Sequence, residues 1–132
     1  MVRLNLPNRR GKQTHVFLTH NWSKDRRGRN NHDRVTRVNE ALKRRGFITW
    51  FDSERMQGSL RKLMTEGIES TLVLIVFITK DYVDKVNGDD ERDNCRYEFS
   101  FGVEQIGPQN MLACVMEPDM RIPRGWKVIH SS

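Results

Sequence analysis

Four short apolar runs, separated by longer amphipathic stretches, set the rhythm of this chain. Residues 14–20 (Thr-His-Val-Phe-Leu-Thr-His) read as a short buried strand, and residues 21–31 as a polar loop dense in Arg, Asn and Asp. From Asp33 to Arg45, Val35, Val38, Ala41 and Leu42 share one helical face, and Gly46 is a natural stop. Residues 47–51 (Phe-Ile-Thr-Trp-Phe) predict a second strand, and residues 52–59 a loop with Gly58 near its end. Leu60, Leu63, Met64 and Ile68 mark a second amphipathic helix. Residues 71–78 (Thr-Leu-Val-Leu-Ile-Val-Phe-Ile) are the most apolar run, and its continuity predicts a strand buried on both faces. Thr79 is placed to cap a helical turn carrying Tyr82, Val83 and Val86. An acidic loop follows, then a helix to Gln105 for which Asn94 is the expected cap. Gly107-Pro108 ends that helix, and residues 111–116 form a fourth strand.

Strand and helix alternate throughout, which predicts an α/β fold: a flavodoxin-like parallel β-sheet with helices on both faces. In such sheets ligands bind beyond the carboxyl ends of the strands, near the switch in strand order. The segments expected there are residues 20–23, residues 52–58 and Thr79 onward, so the helix that follows the acidic loop begins near the predicted pocket. Nucleotide fingerprints are missing: there is no GxGxxG after the first strand, no GxxxxGK[ST] and no G-x-S-x-G elbow. A phosphoacceptor receiver needs paired acids at the end of the first strand, where Thr19-His20-Asn21 offers none.

Composition narrows the setting. The chain has 132 residues, enough for one domain with a real core, and is 36% hydrophobic and 30% charged. We divide it into a basic lead-in, residues 1–13, and a single domain, residues 14–132. No run approaches the roughly 18 apolar residues of a membrane helix, and the first residues lack the apolar block of a secretory signal. Cys95 and Cys114 have no disulfide-framework or zinc spacing, and four scattered histidines complete no metal site. A cytoplasmic location without membrane contact is therefore expected. The net charge of +6 divides unevenly: residues 1–45 hold 13 Lys/Arg against 3 Asp/Glu, and residues 46–132 hold 10 against 14. Such asymmetry attracts phosphates or the acidic end of another copy. Nucleic acid is the less favoured partner, because the basic half lacks interleaved aromatics.

The chemistry concentrates in Asp93-Asn-Cys-Arg-Tyr-Glu-Phe99. Glu98 falls about one turn into its helix, flanked by Tyr97, Phe99 and Phe101. A carboxylate among aromatic rings is open to desolvation and tuning for chemistry; a Glu near a helix start is also simply favoured by the helix dipole.

Taken in order, these motifs resemble a Toll/interleukin receptor (TIR) domain. Val16-Phe-Leu-Thr-His20 is similar to that family's first-strand box. Ala41-Leu-x3-Gly46-Phe-x2-Trp50-Phe51-Asp52 resembles its second strand and the entry to its BB loop. Gly67-Ile-Glu-Ser70, the apolar strand and Thr79-x2-Tyr82 resemble its middle section, and Cys95-Arg-Tyr-Glu98 its Cys-x-x-Glu signature. The resemblance covers about residues 14–118. It implies either a self-association module that recruits other TIR domains or an enzyme that cleaves NAD+ to nicotinamide and linear or cyclic ADP-ribose. For an enzyme, the family pattern implies Glu98 as the catalytic residue and an aromatic of the second strand, Trp50 with neighbouring Phe51, in the pocket. The BB loop would comprise Asp52, Ser53, Glu54, Arg55, Met56, Gln57 and Gly58, and lacks the Pro of many receptor-type members. His20 is a candidate ligand contact at the strand end or a hydrogen-bonded structural residue. Arg26, Arg27 and Arg29 are candidates for the pyrophosphate, or members of a solvated loop; Trp50 is equally open to a core role. NAD+ would be substrate rather than cofactor, with no metal needed, because nicotinamide leaves neutral and one carboxylate suffices to stabilise the ribosyl cation. The pattern also implies a fifth strand, for which residues 124–130 offer a short piece, with the final helix truncated.

Overall fold

The computed structural model describes residues 8–52 and 60–121. Four strands, β1 (Thr14–Thr19), β2 (Thr49–Trp50), β3 (Thr71–Ile78) and β4 (Met111–Val115), form one sheet in the order β2-β1-β3-β4. Every pairing is parallel. Four helices connect them: α1 (Asn31–Arg44), α2 (Leu60–Glu69), α3 (Lys80–Asn87) and α4 (Asn94–Gln105). Residues 53–59 and 122–130, which hold most of the expected BB loop and the expected fifth strand, lie outside the described residues.

Strand alternation sorts the core into two layers. Phe17, Trp50, Leu74, Val76 and Ile78 face one side with Met64, Ile68, Tyr82, Val83 and Phe99, so α2, α3 and α4 cover that face. Val16, Leu18, Phe51 and Phe77 face the other side with Val35 of α1 and Met116. Helices thus lie on both faces, as the alternating pattern predicts. β3 earns its continuous apolar sequence by lying between β1 and β4 and contributing to both layers.

Local differences from expectation have local causes. β2 is shorter than residues 47–51 because the Phe47 amide bonds back to the Leu42 carbonyl at 3.1 Å, which assigns Phe47 to the turn out of α1. Gly46 makes that turn with φ +91°, a conformation that disfavours any side chain. α1 begins at Asn31, two residues earlier than Asp33, because the Asn30 side chain accepts the Asp33 amide. α4 is capped by Asp93 instead of Asn94: the Asp93 carboxylate accepts the Arg96 amide at 3.0 Å. Thr79 caps α3 as expected, accepting the Tyr82 amide at 3.1 Å. Among the described residues no helix is long and apolar enough to cross a membrane.

In the order 2-1-3-4 the connections diverge between β1 and β3, so the crevice for a ligand lies beyond Thr19 and Ile78. α4 packs against α2, α3 and β1, which lays its first turns over the end of β1.

Candidate functional site

Glu98 lies at that crevice and is 1% exposed. Its helix places Cys95, Glu98, Phe99 and Gly102 on the buried face. Gly102 lets α4 approach closely, since a Cβ there would collide with the Leu74 side chain. The Thr19 hydroxyl donates to Glu98 Oε1 at 3.0 Å, and Thr19 Oγ1 lies 2.9 Å from the Tyr82 hydroxyl. A hydroxyl has one proton, so with Thr19 donating to the carboxylate Tyr82 donates to Thr19. This short chain fixes one oxygen of Glu98. The other, Oε2, is buried without a hydrogen-bond partner among the described residues.

A cavity of about 450 Å³ opens over this carboxylate, lined by His20, Asn21, Trp22, Asp52, Leu60, Lys85, Asp90, Arg92, Asp93, Asn94, Cys95 and Glu98. A second depression shares Asn21, Trp22 and Lys85 with it. Burial, and then the neighbouring Asp52 charge, push the Glu98 carboxyl well above the usual range. Asp52 itself is 5% exposed, with Oδ1 unpartnered. Burial pushes its carboxyl up to about 6, against the opposing effect of a hydrogen bond from Trp22. Of the four carboxylates on the cavity wall, Asp52, Asp90, Asp93 and Glu98, two are buried, Asp52 and Glu98; the sequence pointed to Glu98 as the catalytic candidate and assigned Asp52 only to the loop.

His20 lies on the cavity wall. Its Nε2 lies 2.7 Å from His32 Nδ1, and burial followed by the His32 charge pulls its pKa down to about 3, so the ring is neutral near pH 7. The rings of His20, Trp22, His32 and Phe51 form a stack, the closest pair being Trp22 on His32 at 3.7 Å. Phe51 thus supports the imidazoles from the α1 layer and does not line the cavity. Trp22, 47% exposed and on the cavity wall, was passed over in sequence as part of a polar loop. Its signal was a lone large ring placed three residues after the end of β1.

Trp50 is not brought to the cavity. It stacks on Phe17 at 4.3 Å and 3% exposure, under α2 at Gly67, where a Cβ would fall 2.6 Å from its indole nitrogen. The arginines are also elsewhere. Arg26 pairs with Asp81 at 2.9 Å, and its backbone amide donates to Glu117 Oε2 at 2.6 Å. Arg27 is exposed, and its amide donates to Asp25. Asp25, buried, gathers this loop by accepting from Arg29 and Arg34. Ser53, Glu54, Arg55, Met56, Gln57 and Gly58 lie outside the described residues. Among the described residues no cluster of His, Cys, Asp or Glu is arranged to hold a metal ion.

Cys95 donates its thiol to the His20 carbonyl at 3.5 Å, and burial raises its pKa out of the nucleophilic range. This arrangement suits a reaction in which positive charge develops over a buried carboxylate rather than one that needs the Cys95 thiolate.

Compared with known families, the chain matches the model described as TIR domain over residues 16–129. No curated protein matches it.

Proposed function

This chain belongs to the TIR-domain family, and we propose that it is a cytoplasmic NAD+ glycohydrolase that works when self-associated, with Glu98 as its catalytic residue. The observation that carries the proposal is Glu98 Oε2, buried, unpartnered and bordering a cavity at the switch in strand order. Breaking the bond between nicotinamide and ribose leaves the electron pair on the departing nitrogen and positive charge on the ribose. A carboxylate held at one oxygen by Thr19 is preorganised to meet that charge without reorienting. Water then adds to the ribose carbon and releases a proton. Trp22 offers a ring face at the cavity wall, and the depression that shares Asn21, Trp22 and Lys85 offers room for the rest of the dinucleotide.

The charge asymmetry of the chain supports association head to tail with other copies. It also supports a second reading, a TIR adaptor without catalysis that acts through contacts with other TIR domains. Incubating concentrated protein with NAD+ and measuring nicotinamide by chromatography separates the two. Nicotinamide release that rises faster than protein concentration supports the enzyme. No release at concentrations where light scattering detects assemblies favours the adaptor.

A further inference from the structure

The second buried carboxyl, Asp52, changes what the cavity selects. Asp52 and Glu98 both border the same cavity, their Oδ1 and Oε2 atoms are buried, and neither atom has a hydrogen-bond partner among the described residues. The cations on the cavity wall are already engaged: Lys85 pairs with Asp93 at 3.3 Å and Arg92 with Asp90 at 3.4 Å. Arg61, whose field reaches Glu98 from α2, stands 4.0 Å over the Tyr97 ring. Among the described residues no Lys or Arg pairs with Asp52 or Glu98. Among the described residues the other groups facing the pair add no positive charge. Thr19 and Tyr82 are neutral donors, the His20 ring is neutral, Cys95 keeps its proton, and Asp93 adds negative charge.

Two buried carboxyls on one cavity, with no Lys or Arg paired to either among the described residues, do not readily ionise together. We propose that Asp52 and Glu98 share one proton while the cavity is empty, and that a ligand with a fixed positive charge, such as the pyridinium ring of NAD+, displaces that proton to solvent. The ligand half of this proposal rests on the reading of the cavity as an NAD+ site; the proton half does not. The cation supplies the missing counter-charge, both carboxylates ionise, and Glu98 is left charged for the ribosyl cation. The reduced dinucleotide NADH, whose nicotinamide ring is uncharged, leaves the proton in place. Selection for the oxidised form is thereby built into binding, before any chemistry.

Titration calorimetry near neutral pH, in two buffers of different protonation enthalpy, tests the exchange. The probes are carba-NAD+, which is cationic and resists cleavage, and NADH. About one proton is expected to be released with carba-NAD+ and none with NADH, as linkage requires. Equal release with both ligands, or release with neither, overturns the proposal. The shared proton is read separately from the 13C carboxyl titrations of Glu98 and Asp52. Asp52→Asn moves the Glu98 midpoint to lower pH by at least about one unit, and Glu98→Gln does the same to Asp52. Midpoints that stay in place in whichever variant folds overturn the proton half. If neither dinucleotide binds, the NAD+ reading fails and the ligand half falls with it, while the carboxyl titrations still decide the proton half.

Discussion

Replacing Asp52 by Asn is expected to stabilise the protein, and by an amount that grows with pH. Burial raises the Asp52 carboxyl from 3.8 to about 6. The folded state therefore holds this proton more tightly than the unfolded chain does. Between those two values the unfolded state binds fewer protons than the folded one, so stability falls as pH rises and levels off above about 6. At about 1.36 kcal/mol per unit, the difference amounts to about 3 kcal/mol. Asn has no such titration and keeps the stability that the wild type loses. Glu98, raised in the same direction and partly by the Asp52 charge, extends the divergence to higher pH. Urea unfolding of both proteins at intervals from pH 4 to pH 8 measures the effect. The two stability curves are expected to separate steadily above pH 4, with the Asn variant on top at pH 7. Parallel curves across the range would refute the claim that Asp52 is a desolvated acid bordering a cavity, and would place it in water.

Other consequences are as direct. Trp50→Ala should cost about 3–5 kcal/mol, seen as a large drop in melting temperature, while the folded fraction binds NAD+ with unchanged affinity; weakened binding in a protein of near-normal stability would return Trp50 to the site. Glu117 accepts the amides of Lys80 and Arg26 through its two oxygens, at 2.6 Å each. Glu117→Ala orphans both and should cost about 2–5 kcal/mol in denaturant unfolding; a loss within experimental error would show that water replaces the carboxylate at no cost. Self-association should weaken as salt rises, because exposed charges are screened within roughly 8–10 Å at physiological ionic strength. Light scattering across a salt series reads this, and a monomer at every salt and protein concentration would rule it out.

The fold was legible because its signals are local. Each strand is an apolar run, and β3 carried the mark of a strand covered on both sides. The position of Glu98 was legible for the same reason, being tied to a helix that starts after an acidic loop. Trp50 stayed open between pocket and core because depth along a strand is not written in periodicity. Alternation puts it on the face that α4 covers, but its register partner is Phe17, two residues short of Thr19, where Glu98 is anchored. The arginines after β1 were unreadable because each has a partner distant in sequence besides any near one: Asp81 for Arg26, and the Met116 carbonyl for Arg29 and Arg34, which also meet Asp25. Asp52 was visible only as the first residue of a loop. That it shares a cavity with Glu98 follows from β2 ending beside β1, a fact of strand order rather than of composition.

The central claim, that Glu98 supplies the charge that stabilises a ribosyl cation, is tested most directly by nicotinamide release from the wild type and Glu98→Gln, with NAD+ affinity measured on the same preparations. The substitution keeps the size and the bond from Thr19 but removes the charge. Turnover is expected to fall by roughly 10²–10³, while affinity changes little, because the cation exists only near the transition state. An active wild type beside an equally active, folded Glu98→Gln would contradict the account.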